Sequence, residues 1–166
     1  TAYPSWLYSV ESGATTIWER LNSYTVEKGF DGNNSMNSFN HYSFGAVGSW
    51  MYNYSLGIQR NEPGFKSFIL QPTPDPTGQM TWAKGYYDSM YGRIESEWKV
   101  EEGKTTYKFT VPANTVAELK LIIPDGTRIT ESSKQAEKSE GVRYLGEESG
   151  RTIYELQSGI YEFVVM

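Results

Sequence analysis

A chain of 166 residues is long enough for one good core or two small ones. Its 20 Asp and Glu outnumber 15 Lys and Arg, giving a net charge of −5 with no basic cluster, so nucleic acid is not expected as a partner. The absence of cysteine excludes disulfides and thiolate metal sites without fixing the compartment, and no apolar stretch approaches the roughly 20 residues that span a bilayer, so no membrane is expected either.

No signal-peptide pattern is read. A chain opening at Thr1 without an initiator Met is expected of a processed product or an excised fragment. The 13 Tyr and 5 Trp fit β-sheet packing, a sugar-binding cleft, or both.

Taken in chain order, "GATTIWERLNSY" (residues 13–24) reads first as a helix, with Ile17 and Leu21 on one face at i, i+4 and Trp18 on its flank. Glu19 then falls about 200° from Ile17 around that helix, pointing away from the apolar face. "EKGFDGNNS" (27–35) is a polar, turn-rich connection. Phe44, Val47, Met51, Tyr54 and Ile58 follow with steps of three and four, which predicts an amphipathic helix of about four to five turns. Gly45 and Gly48, with the small Ala46 between them, leave it dependent on packing, the glycines lowering its intrinsic propensity. The first 62 residues are thus expected to be helical.

Past Pro63 the period becomes two. In "RIESEWKVE" the residues Ile94, Ser96, Trp98 and Val100 alternate with charged neighbours, and in "KTTYKFTVP" Tyr107, Phe109 and Val111 share one face. "AELKLIIP", "TIYEL" and "GIYEFVV" continue the pattern. Turn signals at Glu102-Gly103, Asp125-Gly126, Ser149-Gly150 and Ser158-Gly159 separate them. The Pro-rich "QPTPDPTG" (71–78) leads into the main series. Seven or eight short strands at this spacing predict an antiparallel β-sandwich. The expected fold class is therefore α+β: an N-terminal helical segment followed by an antiparallel β-sandwich. A helical piece of about 60 residues is marginal as a domain of its own. The first half reads as the end of something larger, and the second as a self-contained module.

Few residues carry chemistry. Glu19 is either a solvated helix carboxylate or a carboxylate lining a cleft, and Trp18, Thr15 and Thr16 beside it are compatible with both. His41, the only histidine, sits near a predicted helix start. There the helix dipole disfavours the imidazolium and leaves a neutral ring able to bond a hydroxyl. One His cannot complete a His-based metal site, and no metal or cofactor is expected. "GAVG" (45–48) lacks the spacing of a phosphate cradle. "FDGNNSMN" (30–37) lacks the ligand spacing of a calcium loop and reads as a turn. Phe44, Met51 and Tyr54 read as core. Trp82, Tyr86, Tyr87 and Trp98 are either alternating core aromatics or a sugar-stacking face.

Two motifs in order, "YPSWLYSVESGATTIWER" and "SMNSFNHYSFGAVGSWMYNYSLGI", resemble the bacterial α-L-rhamnosidases of glycoside hydrolase family 78. The resemblance continues through "GFKSFILQPTP" to the closing "SGIYEFVV". It implies that residues 1–62 are the last helices of an incomplete (α/α)6 catalytic barrel and that 63–166 are a C-terminal β-sandwich domain. The implied reaction is removal of terminal α-L-rhamnose with inversion of configuration. The family's general base, the Glu of the "TIWER"-like motif, maps onto Glu19. A His of the "NHY" motif that contacts rhamnose maps onto His41, and Trp18 takes a supporting, substrate-binding role. The acid and most other sugar contacts of the family come from earlier barrel helices, so the chain alone is expected to be inactive. The implied partners are a rhamnose-containing carbohydrate and the missing N-terminal part of the barrel. Self-association through the exposed helical surface is also expected. Two competing readings remain: a non-catalytic carbohydrate-binding or interaction module in the β half, and another (α/α)6 hydrolase or phosphorylase.

Overall fold

A computed structural model describes residues 2–30, 35–124 and 126–166. The turn expected over 27–35 and the calcium-like stretch 30–37 fall partly outside those residues, as does Asp125 of one turn signal. The chain divides into two compact units, Thr1–Ser49 and Trp50–Met166.

In the first unit, α1 (Trp6–Glu11) begins where the Ser5 hydroxyl accepts the Tyr8 N–H at 3.0 Å. It ends at Ser12, ahead of Gly13 at φ +82°. The helix expected over Ala14–Tyr24 does not form; that segment is a run of turns, bends and irregular backbone. Thr15, Thr16 and Ile17 are β-branched, and the Ser23 hydroxyl turns back onto the Arg20 carbonyl at 2.6 Å. Backbone groups of Ile17 and Glu19 pair with residues more than 15 positions away instead of one turn away. The i, i+4 spacing of Ile17 and Leu21 therefore had no helix behind it, and the argument placing Glu19 about 200° from Ile17 falls with it.

The second predicted helix is present as an irregular helical stretch. A 3-10 turn (Tyr42–Ala46) runs into α2 (Val47–Trp50) and then a π-helical turn (Met51–Ser55). The Leu56 N–H closes it onto the Met51 carbonyl at 2.9 Å. Gly45 faces the Ile17 side chain, which lies 3.9 Å from where a Cβ would stand, an ordinary contact distance. Ile58, expected as the last apolar position of this helix, instead opens a strand. Phe44, Met51 and Tyr54, expected in the core, are exposed.

The second unit is a two-sheet sandwich. One sheet orders β1 (Ile58–Arg60), β2 (Ser67–Leu70), β6 (Val116–Leu121), β10 (Arg151–Leu156) and β9 (Val142–Glu148). The other orders β3 (Trp82–Ser89), β4 (Gly92–Glu101), β5 (Lys104–Val111), β11 (Gly159–Val165), β7 (Ile129–Glu131) and β8 (Lys134–Gln135). Every pairing is antiparallel except β2 with β6. Eleven strands among the described residues exceed the seven or eight expected, because β1, β7 and β8 have three residues or fewer and carry no alternation to read.

The alternation itself holds. Ile94, Ser96 and Trp98, then Tyr107, Phe109 and Val111, then Tyr161, Phe163 and Val165 all point into the core between the sheets. Two polar groups enter that core with partners. The Ser96 hydroxyl donates to the Leu56 carbonyl at 2.6 Å, and Trp98 Nε1 donates to the Ser55 carbonyl at 2.8 Å. They satisfy carbonyls that the end of a helical stretch leaves open. Gly85 packs closely here: a Cβ would stand 2.5 Å from Leu56 Cδ1, so that side chain would have to shift. Gly57, at φ +72°, is held still more tightly: a Cβ would stand 2.1 Å from the Gln71 carbonyl carbon.

Candidate active site

The three residues singled out from the sequence, Trp18, Glu19 and His41, all lie on two segments joined by local hydrogen bonds. The Glu19 N–H donates to the Ser38 carbonyl and the His41 N–H to the Ile17 carbonyl, each at 2.8 Å. The Thr16 hydroxyl donates to the Phe39 carbonyl. Residues 16–19 and 38–41 are thereby clamped side by side.

Glu19 takes part in this clamp with its side chain as well. Its Oε2 accepts the Ser38 N–H at 2.7 Å, so the two residues exchange two bonds. A hydrogen bond to a carboxylate at this length is charge-assisted and fixes the head of the half-buried side chain. Ser38 is itself braced, its Oγ accepting the Asn40 N–H at 3.1 Å.

Trp18 is buried at 7% exposure and packs on Phe39, with ring centroids 4.8 Å apart and planes inclined by 30°. Phe30 continues the aromatic row 5.5 Å from Phe39. A cavity of about 420 Å³ opens beside it, with Thr15, Thr16, Trp18, Tyr24, Phe30 and Phe39 among its walls. A larger cavity of about 700 Å³ shares Ser12 and Phe30 and is otherwise walled by residues such as Tyr3, Arg20 and Lys28. Glu19 lines neither. The smaller one is the more relevant to the candidate residues, because it contains Trp18 and the Thr16 end of the clamp.

His41 caps the 3-10 turn: its Nδ1 accepts the Ser43 N–H at 3.4 Å, a long bond. That contact occupies Nδ1 and leaves Nε2 as the polar atom of the ring able to meet a hydroxyl. The ring stacks at 6.1 Å on Tyr42. Asn37 ties the preceding loop down, its Nδ2 donating to the Ser23 carbonyl at 3.0 Å. Among the described residues, no three His, Asp or Glu side chains converge as a metal site would need.

Sequence reasoning passed over Ser38 and Phe39. Ser38 acts through its backbone, so no residue type could announce it. Phe39 stood within the quoted "SFNHY", and its aromatic character two positions before His41 was a signal left unread. In the β half the four aromatics considered together separate. Trp98 is core at 0% exposure, while Trp82, Tyr86 and Tyr87 are exposed.

The comparisons with known proteins agree along the whole chain. The family model of the bacterial alpha-L-rhamnosidase 6 hairpin glycosidase domain matches residues 1–55, and that of the bacterial alpha-L-rhamnosidase C-terminal domain matches residues 57–137. An alpha-L-rhamnosidase of Formosa agariphila is 35% identical over 161 residues, which is 97% of this chain and 17% of that protein. The crystal structure of the Streptomyces avermitilis alpha-L-rhamnosidase complexed with L-rhamnose superposes with a TM-score of 0.80 at 32% identity, covering 99% of this chain and 15% of that one. The alpha-L-rhamnosidase of Dictyoglumus thermophilum gives a TM-score of 0.77 at 30% identity, covering 99% and 17%. The chain thus spans about a sixth of the length of the relatives it matches. With both of its parts matched in order, the chain belongs to the bacterial α-L-rhamnosidase family and corresponds to the C-terminal part of its members.

Proposed function

We propose that this chain is the C-terminal part of an inverting glycoside hydrolase that removes terminal α-L-rhamnose, and that Glu19 is its general base. The observation that supports this is the Glu19–Ser38 exchange of bonds, which fixes one carboxylate oxygen on the backbone while the same carboxylate keeps Oε1 to accept a proton. A base that must take a proton from water in a fixed direction gains from such pre-orientation.

In the proposed step, Glu19 removes a proton from a water molecule as that water attacks the anomeric carbon from the face opposite the leaving group. The C–O bond to the leaving group breaks, and a separate carboxylic acid protonates that oxygen. In an inverting enzyme the two carboxyl groups stand about 6.5–9.5 Å apart. We assign the acid to the earlier part of the barrel. His41 presents Nε2–H to a sugar hydroxyl, and the packed Trp18–Phe39 pair stiffens the paired segments that carry Glu19.

The same reading makes the isolated 166-residue chain inactive on rhamnosides. Its exposed apolar positions along 42–54 are assigned to contact with the missing barrel helices, and to self-association when those are absent. The test uses an aryl α-L-rhamnoside with the full-length parent and with this chain, following the first-formed sugar by NMR. The reading expects the parent to release β-L-rhamnose first and the chain to release none. Turnover by the chain, or α-L-rhamnose as the first product of the parent, overturns it.

A further inference from the structure

The outward face of the six-stranded sheet carries an ordered mixture of residues that the proposed hydrolysis does not use. The strand register places Lys84, Glu97, Lys108 and Glu162 in one row across β3, β4, β5 and β11. The row alternates in sign and pairs internally, Lys84 with Glu97 at 3.0 Å and Lys108 with Glu162 at 3.1 Å. The next row across the same strands is Tyr86, Glu95, Thr110 and Ile160. In it the Thr110 hydroxyl donates to Glu95 Oε2 at 2.6 Å. Arg93, held by Asp88 at 2.8 Å, covers one side of the Tyr86 ring, 3.7 Å from its centroid.

A cavity of about 440 Å³ lies over these two rows, with Lys84, Tyr86, Glu95, Glu97, Lys108 and Ile160 among its walls. That is within the usual range of small-ligand sites, roughly 300–1,000 Å³. Tyr86 and Ile160 are its exposed apolar elements, Ile160 at 82% exposure. Trp82, 60% exposed, lies four residues from Tyr86 on the same strand. The strand rise puts it about 13 Å farther along the same face.

The chemistry of this face selects among ligands. Its charges are interleaved and largely paired, so it offers no field of one sign to a nucleic acid, an acidic polymer or a lipid headgroup. Adjacent carboxylates and ammonium groups can accept from and donate to the same ring of hydroxyls. A tyrosine ring, an isoleucine and a tryptophan farther along supply surface for C–H groups. We infer that this face is a binding site for a neutral carbohydrate, one sugar residue lying in the cavity between Tyr86 and Ile160 and an adjoining one reaching Trp82. The site shares no residue with the Glu19 region and does not depend on the reading given to that region.

The test is an NMR titration of the ¹⁵N-labelled 166-residue chain with L-rhamnose, D-galactose, D-glucose and an oligosaccharide of each, and with an anionic polysaccharide as control. Shifts in β3, β4 and β5 amides with at least one neutral sugar are expected, weakened tenfold or more by Tyr86→Ala. Trp82→Ala weakens only the oligosaccharides. Both substituted residues are exposed, so folding should survive; Glu95→Gln gives an independent variant with the same expected loss. Three results overturn the inference: no shift with any neutral sugar, shifts only with the anionic polymer, or shifts confined to residues 12–41. The last would instead support the assignment around Glu19.

Discussion

In the sandwich, residues at period-two spacing reach the core: Trp98 and Phe163 are 0% exposed. Along the irregular helical stretch, residues at period 3.6 remain in solvent: Met51 is 54% and Tyr54 55% exposed. Both segments carry a regular apolar pattern, but only one has its complementary surface among the described residues. Apolar periodicity reports that a face is meant to be covered; it does not report what covers it. The sandwich covers its own faces with a second sheet. The helical face is the one assigned above to the rest of a barrel.

This difference can be broken experimentally. Phe163→Ala removes a ring packed among Phe109, Tyr154 and Tyr161, and should cost about 3–5 kcal/mol in urea unfolding. Tyr54→Ala, at an exposed position, should leave that transition nearly unmoved. A large loss from Tyr54→Ala would mean that the helical face is already buried in solution. Trp98→Phe keeps the aromatic volume near its place but removes the bond from Nε1 to the Ser55 carbonyl, and about 1–3 kcal/mol should follow.

Alkaline pH sharpens the comparison. Burial pushes the Tyr107 and Tyr154 phenols up to about 12, above the ordinary value near 10. The unfolded chain then loses these protons first, and the folded state binds more protons between those limits. The contribution of these two phenols to stability should be flat from neutral pH to about 10 and fall as pH rises from about 10 to 12, by roughly 1–2 kcal/mol for Tyr107. Urea midpoints across that range give the sign. Smallest is Ser5→Ala, which removes the cap of α1 and should cost about 1 kcal/mol locally. Faster hydrogen exchange of the Tyr8 amide with an unchanged sandwich transition is the expected pattern.

The sandwich was legible because its strands obey local rules. Alternation set the inward faces of β4, β5 and β11, and glycine-bearing turn dipeptides separated them. The residues around Glu19 obey no such rule. Ile17 and Leu21 imitate a helical face, yet the donors of Ile17's neighbours find acceptors about twenty positions away, a pairing that no local pattern encodes. What pointed to Glu19 and His41 was the likeness of two motifs, not periodicity. The structure then brings both onto one clamped pair of segments, and adds Ser38 and Phe39, whose contributions are a backbone amide and a ring.

The central claim is that Glu19 is the base. Its most direct test is the turnover of an aryl α-L-rhamnoside by the full-length parent carrying Glu19→Gln, with Glu19→Ala alongside. The amide retains an oxygen able to accept the Ser38 N–H but cannot take a proton from water. The account predicts a loss of kcat by a factor on the order of 10² to 10⁴ for both variants, with the unfolding transition of the Gln variant essentially unchanged. A Glu19→Gln enzyme that turns over at a rate near that of the parent would contradict it.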